Sequence, residues 1–188
     1  MSRIIAGAAG GTPLAGVPGN ATRPTTDRVK EALFSRLDAY NILTGAHVLD
    51  LFAGSGSLGV EAASRGAATV DLVEAADRAA AACKANADVM NKVLGWTCVR
   101  VHRTKVETYL SRVPEEVLWD VVLMDPPYPL EDAPLMRIVS ALVPHLAEGA
   151  IVVVERSSRS GEPDWPPGIE RFAEKKYGET RLWYVEPV

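Results

Sequence analysis

Ala46-His47-Val48-Leu49-Asp50-Leu51-Phe52-Ala53-Gly54-Ser55-Gly56-Ser57-Leu58-Gly59 is a short apolar run that stops at an acid and passes into closely spaced glycines. The apolar part, 46–51, reads as a buried strand, and the glycines as the loop that turns it into a helix. Ser57 to Arg65 holds helix formers and stops at Gly66, which completes a strand, loop and helix unit. G-x-G-x-x-G in that position is where an α/β sheet admits an adenosine-type cofactor.

The same rhythm continues outward. Strands are expected at 69–74, 96–101, 119–124 and 150–155, with helices at Ala75 to Asn91, Val106 to Leu110 and Pro134 to Leu146. Five strands alternating with helices make a parallel sheet covered on both faces. Three prolines and two glycines between Arg156 and Ile169 read as a loop. Beyond it, Arg171 to Tyr177 and Thr180 to Glu186 flank Gly178-Glu179 as a terminal antiparallel hairpin, giving seven strands in all. At the other end, Ile4-Ile5 and the glycine-rich stretch to Gly19 read as a small hairpin. A helix, Arg28 to Asp38, follows Thr25-Thr26-Asp27 and carries Val29, Leu33 and Leu37 on one face. The expected organisation is an N-terminal extension, 1–40, belonging to the same fold as a catalytic domain, 41–188.

Composition narrows the setting. The 188 residues, 47% hydrophobic and 23% charged, suit one globular domain. No apolar run approaches the roughly 18 residues of a membrane span, and Met1 to Gly7 shows no secretory pattern, so a cytoplasmic setting is expected. Cys83 and Cys98 are too few for a disulfide framework and read as small buried thiols, while His47, His102 and His145 have no ligand-spaced partners. No metal is expected. Net charge is −4, yet Arg3, Arg23, Arg28, Lys30 and Arg36 outnumber Asp27 and Glu31 in residues 1–37. A basic first segment on an acidic body is a place for an anionic partner.

Asp50 separates the possible cofactors. A dinucleotide would bring its pyrophosphate to the helix N-terminus, where an acid at the end of the preceding strand repels it. S-adenosylmethionine has no phosphate and carries an ammonium and a sulfonium, which an acid attracts. Phe52, Ala53, Gly54, Ser55 and Gly56 belong to the loop that would hold it. Glu74, ending the second strand, can accept hydrogen bonds from both ribose hydroxyls. The fourth strand runs into Asp125-Pro126-Pro127-Tyr128, where two prolines hold the chain extended and remove two N–H donors. Asp125 and the Pro126 carbonyl can grip the two hydrogens of an exocyclic base amine, and Tyr128 offers a ring for a splayed or flipped base.

These motifs, in this order, resemble those of class I S-adenosylmethionine-dependent amino-methyltransferases. The segment Thr22-Arg23-Pro24-Thr25-Thr26-Asp27-Arg28-Val29-Lys30-Glu31-Ala32-Leu33-Phe34 more specifically resembles the opening of the RsmD family, the bacterial small-subunit ribosomal RNA guanine-N2 methyltransferases. Arg3-Ile4-Ile5-Ala6-Gly7 and Lys176-Tyr177-Gly178 fit as well, so the likeness spans nearly the whole chain. It implies a Rossmann-like fold and methyl transfer to the exocyclic amine of one guanine in 16S ribosomal RNA, within an assembled or nearly assembled small subunit. By matching position, Asp125, Pro126 and Tyr128 would hold the guanine, and Asp50, Gly54, Gly56 and Glu74 the cofactor. Arg23, Thr25, Thr26 and Arg28 would lie near the mouth of the pocket. Where the family often has Asp or Asn to meet the adenine amine, this chain reads Arg103-Thr104-Lys105, which leaves Thr104 or backbone groups for that contact.

RNA docking is assigned chiefly to Arg3, Arg23, Arg28 and Lys30, with Arg156, Arg159 and the loop around Trp165 next in line. A monomer is expected. Two other readings stay open: methylation of DNA adenine or a protein glutamine, and a nucleotide-binding module in which Asp125 to Tyr128 is only a turn. The lack of a large target-recognition domain counts against a self-sufficient DNA enzyme.

Overall fold

A computed structural model of the chain describes residues 2–18, 26–127 and 129–188. Seven strands form one sheet: β1 (His47–Leu51), β2 (Thr69–Val73), β3 (Val99–His102), β4 (Trp119–Met124), β5 (Leu146–Ser157), β6 (Ile169–Tyr177) and β7 (Thr180–Pro187). Their order across the sheet is β3-β2-β1-β4-β5-β7-β6. The first five are parallel, and β7 runs antiparallel to both β5 and β6. This is the expected α/β architecture, a mostly parallel seven-stranded sheet with a C-terminal antiparallel hairpin.

Among the described residues, five α-helices cover the sheet: α1 (Asp27–Ala39), α2 (Ser57–Ser64), α3 (Asp77–Leu94), α4 (Val106–Arg112) and α5 (Asp132–Leu142). Side chains alternate across each strand, so successive residues enter different cores. Val121 and Leu123 pack with α1, α2, α3 and the first residues of the chain, whereas Val122 and Met124 pack with α4 and α5. No described helix is long and apolar enough to cross a membrane.

Several boundaries differ from the sequence reading. Helix α3 runs on to Leu94 and stops at Gly95, whose φ of 82° closes the helix with a bond from its N–H to the Asn91 carbonyl. The Asn91 side chain then accepts from the Cys98 and Val99 N–H groups, so β3 starts at Val99 and Trp96 is left half exposed. The helix expected to reach Leu146 ends at Leu142 in a 3-10 turn containing Pro144, which has no N–H to continue it. Strand β5 starts at Leu146 and persists to Ser157 because β7 pairs with it as far as Thr180. The N-terminal hairpin is reduced to one antiparallel bridge, Arg3 with Pro13.

The extension is fastened to α2 by a buried charge network. Glu61, fully buried, accepts from Ile5 N at 2.8 Å, Ala6 N at 3.1 Å and Arg65 Nε at 2.8 Å, and lies 3.7 Å from Lys30 Nζ. Lys30 donates to the Arg3 carbonyl at 2.7 Å and to Ser57 Oγ at 3.0 Å. Burial lowers its pKa, opposed by the charges of Glu61 and Asp27. Lys30 is thus no RNA-docking residue, contrary to the sequence reading: it lies at 0% exposure with its ammonium directed inward. Its neighbours on α1 explain the placement, since Val29, Leu33, Phe34 and Leu37 are buried with it.

Removing one partner of a buried ion pair costs about 3–5 kcal/mol, because the other charge is left uncompensated. Glu61→Ala should cost that much in chemical denaturation. Lys30→Met should cost distinctly less, since Glu61 keeps Arg65 and two N–H donors. Equal losses would show that Arg65 and the two N–H donors do not compensate Glu61 once Lys30 is gone.

Candidate active site

Parallel strands end at the same edge of a sheet, and in α/β folds that edge is where ligands bind. The register brings the candidate residues into one row there. Leu51 pairs with Val73 and with Met124, Val73 with His102, and Met124 with Val154. The next residues along are Phe52, Glu74, Arg103, Asp125 and Glu155, from five separate stretches of sequence.

The glycine loop follows β1 through two positive φ angles at Phe52 (58°) and Gly54 (60°) and a third at Gly56 (82°). A β-carbon on Gly56 would stand 2.8 Å from Leu72 Cδ1, and one on Gly59 only 2.2 Å from Leu72 Cδ2. Glycine there lets α2 lie directly against β2. Glu74 holds the loop from the side: Oε1 accepts from Gly54 N at 2.8 Å and Oε2 from Ala76 N at 2.9 Å. Ala53 N donates to the Val73 carbonyl, and Cys83 Sγ lies 3.0 Å from the Gly54 carbonyl. Both cysteines are buried and unbridged, as expected.

Asp50 is 1% exposed and its Oδ2 accepts from Gly59 N at 3.0 Å. Burial pushes its carboxyl well above the usual range, the Gly59 bond opposing and the Glu74 charge adding to it. A site holding two carboxyl groups, Asp50 and Glu74, offers acceptors and negative charge. That set suits a cation and hydroxyl groups, and it repels phosphate.

Asn86 escaped the sequence reading. Its Nδ2 donates to the Ser55 carbonyl at 2.8 Å and to Ala15 O at 3.0 Å, and its Oδ1 accepts from Ala15 N, so one side chain ties the loop to the N-terminal segment. A polar residue within an Ala-rich helix was the available signal. Ser57 likewise begins α2 and receives the Lys30 bond.

Beyond β3, Thr104 is half-buried and its N–H donates to the His102 carbonyl. Arg103 reaches Asp77 at 3.4 Å. His102 pairs with Asp71 at 2.8 Å, and His145 bonds the Val117 carbonyl, both packing roles. The described residues contain no cluster of side chains able to hold a metal ion.

Beyond β4, Asp125 is half-buried and Pro126 buried. The loop returns through a bond from Leu130 N to the Pro127 carbonyl. Arg156, at the end of β5, clamps it: one terminal nitrogen donates to Leu130 O at 2.9 Å and to Asp132 at 2.7 Å. With its side chain only 10% exposed, Arg156 is not available for RNA, which corrects its place as a reserve docking residue. Trp165 packs edge-on to Trp183 and anchors its loop.

Among the proposed docking residues, Arg3 and Arg28 are exposed. Thr26 caps α1, its hydroxyl accepting from Val29 N at 3.3 Å. Tyr128, Arg23 and Thr25 lie outside the described residues.

A family model, "Conserved hypothetical protein 95", matches residues 2–186. Ribosomal RNA small subunit methyltransferase D of Escherichia coli (strain K12) is 34% identical over 189 residues, covering 98% of this chain and 90% of that one. The solved structure of the Escherichia coli protein yhhF superposes with a TM-score of 0.82 at 30% identity, covering 98% of this chain and 97% of its own. The SMU.776 structure, solved with SAH, shares the fold at a TM-score of 0.63 and 13% identity over 81% of this chain and 49% of its own. The chain belongs to the methyltransferase D family, the RsmD family, that its opening segment resembles.

Proposed function

We propose that this protein transfers a methyl group from S-adenosylmethionine to the exocyclic N2 amine of a guanine in small-subunit ribosomal RNA. The observation that carries the reading is the pairing of Leu51 with Met124, which sets the glycine loop after β1 beside Asp125 and Pro126 after β4. A donor site and an acceptor-rich site for an amine are thereby adjacent. The name of the Escherichia coli relative supports ribosomal RNA as substrate, and the likeness of residues 22–34 to the RsmD opening supports the guanine amine.

In this reading Asp50 faces the positive charges of the cofactor, the backbone of Phe52 to Gly56 encloses it, Glu74 accepts from its ribose hydroxyls, and Thr104 meets its adenine. When bound, S-adenosylmethionine would supply an electrophilic methyl group on its sulfonium and leave as the neutral thioether, S-adenosylhomocysteine, with the surplus amine proton passing to solvent. A base amine is a poor nucleophile, because its lone pair is delocalised into the ring. Asp125 and the Pro126 carbonyl accept its two hydrogens, aim the nitrogen and stabilise the positive charge that develops on it. Tyr128 stacks on the base. Arg3, Arg23 and Arg28 are assigned to RNA phosphates, with Thr25 and Thr26 assigned to the same substrate, and the acidic remainder of the chain favours a folded ribosomal surface over naked RNA.

Radiolabelled methyl transfer to purified small subunits, duplex DNA and a glutamine-containing protein tests the reading. Label should enter the small-subunit RNA alone. Asp125→Ala should abolish transfer while calorimetry still detects S-adenosylmethionine binding. Label in DNA or protein, or a fully active Asp125→Ala variant, would overturn it.

Asp50 sets stability against binding. A group whose folded-state pKa is raised contributes stability below its unfolded pKa and loses it as pH rises through the folded value. Asp50→Asn keeps an acceptor for Gly59 N and removes the buried charge. The variant should melt above wild type without ligand at about pH 8, with the difference shrinking toward about pH 4 as the wild-type carboxyl takes up its proton. Its affinity for S-adenosylmethionine should fall by roughly tenfold or more, as losing a charged hydrogen-bond partner implies. A variant that gains no stability at the higher pH would show that the charge is compensated in the free protein.

A further inference from the structure

Resting on the reading of the target as a guanine amine, we propose that Glu155 is the residue that selects guanine, by accepting a hydrogen bond from the ring N1–H beside that amine. The geometry begins with β4 and β5, parallel neighbours in which Met124 pairs with Val154. One step further along each strand, Asp125 and Glu155 stand side by side, about the 4.8 Å of adjacent strands apart at the backbone. Leu123 and Val153 belong to the core on the α1 side, so alternation turns Asp125 and Glu155 to that same side. Leu182, opposite Glu155 in β7, belongs to that core as well.

Glu155 also lines a small cavity with Leu33 of α1, Leu58 of α2, Leu123 and Leu182. Its volume of about 10 Å³ holds no base. The base therefore lies above it, along the rim where the strands end. The half-buried Glu155 is thus shared between the catalytic row and the face covered by the basic N-terminal extension.

The chemistry of the target matches two adjacent carboxylates. Guanine presents the N2 amine and the N1–H as neighbouring donors on one edge, whereas adenine has an acceptor at N1. Asp125 with the Pro126 carbonyl answers the amine, and Glu155 answers N1–H. A carboxylate has about four lone-pair sites, so contacts that Glu155 makes within the protein leave room for one more. A site built to hydrogen-bond an N–H rejects an analogue that presents a ring lone pair there, because two acceptors then face each other.

The probe is 2-aminopurine, which keeps the exocyclic amine and has an unprotonated ring N1. Small subunits are reconstituted with RNA carrying either guanine or 2-aminopurine at the methylated position, introduced by splinted ligation. The wild type should methylate guanine faster by roughly 10- to 100-fold, the value of one hydrogen bond to a charged group. Glu155→Gln can donate its amide to an unprotonated N1, so it should slow transfer to guanine and bring the ratio of the two rates close to one. Its S-adenosylmethionine affinity, read by calorimetry, should match the wild type. Glu155→Asp, a shorter carboxylate, should keep the preference for guanine at a reduced rate. A wild type indifferent to the two bases, or a Glu155→Gln enzyme that keeps the wild-type ratio, would overturn the proposal. Failure of the guanine reading itself is distinct: the wild type would then label neither RNA.

Discussion

A buried ion pair adds to stability only when its charges are matched by further hydrogen bonds, and the pair of Lys30 and Glu61 is built that way. Glu61 receives two backbone N–H groups of the N-terminal segment and the Arg65 guanidinium. Lys30 donates to the Arg3 carbonyl and to the first residue of α2. Three elements are tied at one point: the start of the chain, α1, and the helix that opens at the glycine loop. The segment that carries the basic excess is therefore fixed to the segment that would carry the cofactor, with little freedom between them.

Around that point the sheet arranges the chemistry. Five parallel strands deliver Phe52, Glu74, Arg103, Asp125 and Glu155 to one rim. Glu74 crosses from β2 to hold the backbone after β1, Asn86 crosses from α3 to hold it from above, and Arg156 crosses from β5 to hold the loop after β4. The loop after β1, and Leu130 and Asp132 beyond β4, are thus held by side chains from other elements. Asp50 is the exception in energetic terms, a carboxylate whose burial disfavours its charge in the free protein. That strain is the kind found where a charged ligand completes a site.

The sheet was legible because its signals are local. Apolar-rich runs of five or six residues, stopped by the glycines after β1, by Glu74 after β2 and by Asp125-Pro126-Pro127 after β4, marked those strands closely, and the spacing of Val29, Leu33 and Leu37 marked α1. Boundaries failed where a side chain from elsewhere set them: Asn91 delays β3 to Val99, and pairing with β7 carries β5 to Ser157. Asp50 and Glu74, and the acceptors Asp125 and Pro126, are picked from residue type and position, and the strand register brings the ends of β1, β2 and β4 to one edge. The burial of Lys30 could not be read in that way. A lysine in a basic segment reads as exposed, and only the partner 31 residues later, one helix away, shows why it is buried. Glu155 was equally hidden, since its place beside Asp125 depends on strand register rather than on any motif.

The account centres on one modified base, and the most direct measurement is mass mapping of small-subunit ribosomal RNA from cells with and without this protein. The account predicts a single N2-methylguanosine that is absent without the protein and restored by the wild-type chain. RNA with the same complement of N2-methylguanosine in both cells would contradict it.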